Sequence, residues 1–221
     1  MSKKKPLHFA ILGLGTFGAT LASELTRLGN HVLGMDIDER AVSRMANVIA
    51  EAVIADCRDE DALREAGVGA YETAIVGIGE DLEANILCVM HCKVIGVKKI
   101  WAKALNKVHH RILTKLDVDR VILPEQEIGQ HIAQMLHNPL VQDYLRMGNG
   151  YFTVRIQAPE RLNGRKLKEL ALEDRYDLKC LGMMRGQEYI AGESGEAVVL
   201  AGDQLLVLGT RPNLRIFGDS L

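Results

Sequence analysis

The feature that most constrains this chain is a rhythm. Six short apolar runs, "LHFAIL", "HVLGMD", "EAVIAD", "TAIVGI", "KKIWAK" and "RVIL", succeed one another through the first part of the sequence. Their starts recur roughly every 20 to 25 residues, which is the spacing of β-α units. Helical patterns fill the gaps, opening at Gly15, Asp38, Asp59, Asp81 and Lys107. Such alternation specifies a parallel sheet covered by helices on both faces. The runs are almost continuously apolar, as strands buried on both sides should be. A further helix, "PEQEIGQHIAQML", follows the sixth run with Pro124 in its opening turn, where a proline is tolerated.

The pattern changes after Pro139. "VQDYLRMGNGY" carries Gly148 and Gly150 and reads as a linker. Beyond it, "YFTVRIQA", a short helix "KLKELALE", "LKCLGMMR", "EYIAG" and "DQLLVLGT" form a small α+β unit. The expected fold is α/β: a doubly wound parallel sheet over residues 1–138, a linker over 139–150 and a small α+β domain over 151–221. A chain of 221 residues is long enough for one medium domain and one small one.

Composition excludes several functions. Hydrophobic residues make up 48%, charged residues 25%, and the net charge is −2, so the chain is of ordinary globular type. Lys and Arg are scattered apart from "KKK" at Lys3 to Lys5, so the basic face that nucleic acid requires is missing. No apolar run approaches the roughly 18 residues of a membrane helix, and the N-terminal residues are not expected to act as a signal peptide, since Leu7 to Leu12 already reads as a strand. A cytoplasmic location is expected. The four cysteines fit it, being single and widely spaced apart from Cys88 and Cys92. Those two, with His91, have metal-ligand chemistry, but in the apolar helix "NILCVMHCKVIG" they read better as small buried hydrophobes.

Gly13, Gly15 and Gly18 form a G-x-G-x-x-G motif that follows a strand and opens the helix "TFGATLASELTRLG". Gly13 permits a tight turn, Gly15 lets the backbone approach a phosphate, and Gly18 lets the helix pack closely on the sheet. Asp36, ending the second strand in "HVLGMDID", is placed to accept hydrogen bonds from both hydroxyls of an adenosine ribose. A 2′-phosphate would meet this carboxylate, which disfavours NADP. The alternative role for Asp36, a helix cap, is filled better by Asp38. The arrangement is Rossmann-like. Asp56 after the third strand, and Ile78 and Gly79 after the fourth, lie at carboxyl ends of strands, where such a sheet places its ligand crevice. Asp56 is placed to reach an adenine amino group, with capping or solvation as its alternative.

The sequence offers this site and no reaction centre. A dehydrogenase needs a general acid or base beside the nicotinamide. His109 and His110 in "NKVHHRIL" are adjacent on a helix, point in different directions and read as solvated positions. His131 and His137 share no acid, and G-x-S-x-G, H-E-x-x-H and Walker lysine motifs are missing. These observations weigh against the alternative of a small NAD-dependent oxidoreductase. A redox-sensing repressor is disfavoured too, because the first strand begins by Leu7 and leaves no room for a helix-turn-helix before it.

"FAILGLGTFG", "GMDID", "VGIG", "IWAKALN", "RILTKLDVDRVILPEQEIGQHIA" and the trailing small domain resemble the regulator-of-potassium-conductance (RCK) proteins. More narrowly, the chain resembles the cytosolic subunits of the Trk and Ktr potassium-uptake systems, with a TrkA-N half and a TrkA-C half. The run Asp119 to Glu125 is more specific to that family than the glycines. The resemblance implies a homo-oligomer, with dimers assembling into an octameric ring beneath a membrane-embedded potassium-translocating subunit. It implies that ATP, ADP or NAD(H) binds the first domain and changes the ring's shape. It also implies that Glu125 lies near the phosphates and helps hold a cation such as Mg²⁺. Its other role, favourable placement in a helix's first turn, is compatible with that. Thr16 stands where Ktr members usually have an arginine that reaches the γ-phosphate of ATP. Lys103 in "WAKA" is a substitute phosphate contact, or else a solvated lysine. The expected binding set is Gly13, Gly15, Thr16, Phe17, Gly18, Asp36, Ile37, Asp56, Cys57, Ile78, Gly79, Lys103 and Glu125, with Glu125 as the metal ligand.

Overall fold

The computed structural model describes residues 5–137, 140–192 and 195–221. Lys3 and Lys4 of the basic run, and the expected domain boundary at 138–139, lie outside the described residues. The chain divides into two compact units, Met1–Pro124 and Glu125–Leu221.

In the first unit each apolar run becomes a strand: β1 His8–Leu12, β2 His31–Asp36, β3 Glu51–Ile54, β4 Thr73–Val76, β5 Lys99–Lys103 and β6 Arg120–Ile122. They form one parallel sheet in the order β3-β2-β1-β4-β5-β6. Strand order reverses between β1 and β4, and the carboxyl ends at such a switch point are where a doubly wound sheet places its ligand crevice. Ile11 of β1 lies level with Gly34 of β2 and Ile75 of β4. One apolar cluster, with Leu12, Leu33, Val76 and Leu113, is packed separately from another with Ile11, Leu14, Ile49 and Ile75. Neighbouring strand residues feed different clusters because successive side chains point to opposite faces.

Helices α1 Thr16–Arg27, α2 Glu39–Met45, α3 Glu60–Glu65, α4 Leu82–Val94 and α5 Lys107–Lys115 connect the strands. The residue before four of them caps its helix with a side chain. Asp38 accepts from Arg40 N–H, Asp59 from Asp61 N–H, Asp81 from Ala84 N–H, and Asn106 from Val108 and His109 N–H.

The second unit contains most of α6 Pro124–His137, then a five-stranded antiparallel sheet in the order β10-β9-β11-β8-β7. Its strands are β7 Val141–Gly148, β8 Tyr151–Gln157, β9 Lys179–Arg185, β10 Glu188–Ala191 and β11 Gln204–Thr210. Phe152, Val154, Ile156, Met183, Leu205 and Val207 supply much of its core.

Two local expectations are corrected. The stretch read as a linker over 139–150 contains β7, paired with β8 through a register that closes on Gly148 and Tyr151. Asn149 and Gly150 between them have φ of 50° and 81°, the paired positive values a two-residue hairpin turn requires. "KLKELALE" is not one helix: a 3-10 turn, Leu167–Leu170, and α7 Leu172–Tyr176 are separated by Ala171 at φ 47°. The unit also ends in a helix beyond the elements the sequence suggests, α8 Arg211–Asp219, which buries Leu214 and Phe217.

Candidate nucleotide-binding site

β1 delivers the chain into the glycine turn. Gly13 has φ of 101°, and a Cβ there would lie 3.0 Å from the Ile78 nitrogen. A Cβ on Gly18 would lie 1.8 Å from the Gly13 carbonyl oxygen, so α1 abuts the strand end in a way any larger residue would prevent. Gly15 differs: no heavy atom lies within 4 Å of the Cβ it lacks, so the space beside it is open.

That opening matters because Gly15 is the cap residue of α1 and has no side chain to donate electrons to the helix. Where α2 to α5 satisfy first-turn N–H groups with a carboxylate or amide, α1 leaves its own to an outside acceptor. The positive end of the helix dipole points the same way. Bare N–H groups beside open space suit a phosphate. Thr16 and Phe17 form the first helical residues there, with Thr16 exposed and Phe17 half-buried.

Asp36 closes one side. Its Oδ2 accepts from the Leu14 N–H at 2.6 Å and its Oδ1 from the Asp38 N–H at 2.9 Å. The carboxylate thus fixes the glycine turn while each oxygen keeps a lone pair for a ribose hydroxyl. Ile37 beside it is an exposed apolar side chain. Ala55 N–H donates to the Asp36 carbonyl at 3.0 Å, which holds the start of the Asp56 loop alongside.

Asp56 is engaged by a neighbour. Arg58 Nε lies 3.0 Å from each carboxylate oxygen and Arg58 Nη2 lies 2.7 Å from Oδ2. These hydrogen bonds hold the Asp56 carboxyl below the usual carboxylate range. An adenine amino group would share Asp56 with Arg58. The Cys57 side chain is buried in the core, 3.8 Å from the Met35 carbonyl oxygen, so a ligand contact there falls to its main chain.

On the other side, Lys103 lies across Gly79: a Cβ on that glycine would be 3.0 Å from Lys103 Nζ, which sits 5.9 Å from the Phe17 ring centre. The structure therefore brings together the head of α1, the end of β4 and the end of β5. Glu125 belongs to the second unit, in the first turn of α6.

His109 is corrected. It is buried, not solvated, with Nδ1 accepting from the Leu105 N–H at 3.1 Å and Nε2 3.2 Å from Asn85 Oδ1. Burial holds its pKa below the usual imidazole range. Cys88 and Cys92 are core residues, and His91 faces Glu60 at 3.1 Å.

Residues 9–124 match the TrkA-N domain family and residues 151–219 the TrkA-C domain family. The chain belongs to the TrkA-N/TrkA-C family. It is 34% identical over 210 residues to Ktr system potassium uptake protein C of Bacillus subtilis (strain 168), spanning 95% of each chain. It is 31% identical to Ktr system potassium uptake protein A of the same organism, spanning 98% of each. Among solved structures, the GsuK RCK domain shares the fold with a TM-score of 0.65 at 15% identity, covering 97% of this chain and 47% of that one. The GsuK channel bound to NAD gives 0.66 at 14%, covering 97% and 39%. Among the described residues of this TrkA-type chain, no helix is long and apolar enough to cross a membrane.

Sequence reasoning missed Arg58, which competes for Asp56, and Asn85, buried at the start of α4. Asn85 left one signal: an amide directly before the apolar run "ILCVM".

Proposed function

We propose that this protein is the nucleotide-sensing regulatory subunit of a Ktr-type potassium uptake system. It binds ATP, ADP or NAD(H) in the crevice of its first unit and does not consume it. Occupancy changes the shape of a homo-oligomeric ring, which acts on a membrane-embedded potassium-translocating partner from the cytoplasmic side.

The observation that carries this reading is the end-to-end similarity to Ktr system potassium uptake proteins, over 95% of both chains at 34% identity. The crevice fits an adenine nucleotide. The open space at Gly15 and the uncapped head of α1 suit phosphate, Asp36 suits a ribose, and Ile37 offers an apolar cover for the base. NAD in the GsuK channel, which shares the fold, supports NAD(H) as one ligand. In the family's pattern Glu125 assists a divalent cation beside the phosphates, and we assign it that role here. Such an ion offsets the repulsion between carboxylate and phosphate.

The oligomer is supported by α6, where Ile128, Ile132 and Leu136 are exposed at four-residue spacing and form one apolar stripe. A ring also explains how small signals suffice. Taking a two-state assembly from 1:99 to 99:1 requires about 5.5 kcal/mol in all, or about 0.7 kcal/mol from each of eight equivalent sites.

The test is co-expression with a Ktr-type membrane subunit in cells that lack other potassium uptake. Growth at low potassium should require this chain and should fail with Asp36→Ala. Uptake indifferent to the chain, or steady NADH oxidation by the purified protein with a carbonyl substrate, would overturn the reading.

A further inference from the structure

Asn85 and His109 are the buried polar residues of the first unit among those described, and they are joined to each other. Their proton assignment follows from the partners. The Leu105 N–H can only donate, so His109 Nδ1 is the acceptor and carries no hydrogen. Nε2 then holds the proton and donates to Asn85 Oδ1. That orients the Asn85 amide, whose Nδ2 donates to the carbonyl oxygens of Ile78 at 2.6 Å and Lys103 at 3.0 Å.

The position of those two carbonyls is what gives the link a purpose. The parallel ladder between β4 and β5 runs only as far as Val76 and Ala102. Beyond that pair the β4–β5 register has no further partners, and Ile78 and Lys103 both offer carbonyl oxygens, acceptors that cannot bond to each other. A nitrogen with two hydrogens can bridge both, and the primary amide of Asn85 does so. Asn85 thus continues the sheet where its own hydrogen bonding stops, and His109 fixes the amide's orientation. The strand ends held in this way carry Gly79 and Lys103, on the far side of the glycine turn from Asp36.

We infer that Asn85 and His109 are positioning residues for the far half of the crevice. They set affinity for whatever a ligand carries beyond its α-phosphate, while the adenosine half, held at Asp36, does not depend on them. The inference rests on the reading of this crevice as an adenine-nucleotide site.

The experiment is calorimetric titration of the full chain with AMP, ADP, ATP and NADH. The wild type should gain affinity from AMP to at least one longer ligand. Asn85→Asp replaces the double donor with an acceptor facing two carbonyls, and should weaken that longer ligand at least about tenfold while AMP stays within about twofold. His109→Gln, which can place an amide nitrogen near the position of Nε2, should retain the longer ligand within about threefold. His109→Asn, too short to reach Asn85, should lose it as Asn85→Asp does. The histidine pair keeps the test decisive if Asn85→Asp does not fold. AMP and the longer ligand weakening by the same factor, no weakening at all, or equal loss in the two histidine variants would each overturn the inference. So would a wild type that binds AMP as tightly as every longer ligand. A wild type that binds none of the four removes the nucleotide reading itself, a separate failure visible before any variant is made.

Discussion

Asp36 reaches back 22 residues to accept the Leu14 N–H at 2.6 Å, so the acid proposed for the ribose also anchors the turn proposed for the phosphates. Substituting it should therefore have two effects. Asp36→Ala should lower the melting temperature of the ligand-free protein and abolish the thermal shift with NADH or ADP. Hydrogen bonds to a charged group contribute about 1.5–3 kcal/mol, so affinity should fall tenfold or more. Asp36→Asn should spare the turn better than the ligand. Differential scanning fluorimetry with and without nucleotide separates the two.

Gly15 and Gly18 should respond in opposite ways to the same added methyl group. Gly15 has φ of −61° and open space beside it, so Gly15→Ala should leave the ligand-free melt unchanged. It should nevertheless remove the nucleotide-induced shift, because the methyl occupies the phosphate's approach. Gly18→Ala forces a carbon into the Gly13 carbonyl and should destabilise the fold by about 1–3 kcal/mol or more. Thermal melts of both variants check this directly.

Thr16 is exposed at the first position of α1, beside the site proposed for the phosphates. Thr16→Arg should shift preference toward ATP over ADP by about tenfold, the effect of one charge-assisted contact. Titration calorimetry with the two nucleotides reads the ratio.

In the second unit, buried Asp203 accepts from Arg185 Nε at 3.0 Å and Nη2 at 2.7 Å, and from the Leu200 N–H at 2.8 Å. The Arg185 hydrogen bonds hold its carboxyl below the usual range. With the folded-state pKa depressed, the stabilisation is complete above the unfolded value near 4 and is lost as pH falls through the folded value. Asp203→Ala should cost about 2 kcal/mol at neutral pH, less than a fully buried pair because Arg185 is partly solvated. It should also flatten the acid limb of stability. Urea unfolding between pH 7 and pH 3 measures both.

The first sheet was legible because parallel strands covered on both faces appear as apolar runs, and Asp38, Asp59 and Asp81 mark helix starts through local chemistry. β7 was not, since it is an edge strand with most side chains in solvent, so its sequence lacks a buried face. The Asn149–Gly150 turn was a usable signal, hidden by the flanking Gly148. In the site, Gly13, Gly18 and Asp36 could be read because their roles depend on neighbours in a fixed motif. His109 could not, because its burial depends on Asn85, 24 residues away on another helix. The Cys57 side chain turned inward for a similar reason, drawn by the apolar core beneath β3.

The bare head of α1 also bears on how long each molecule survives. A ligand that seats there and binds only the native form lowers the unfolded fraction by the factor one plus its concentration over Kd. Chains with an empty crevice unfold more often and meet proteases more often. On the proposal that adenine nucleotide is that ligand, a cell starved of it would lose this protein faster, so nucleotide supply would set abundance as well as occupancy.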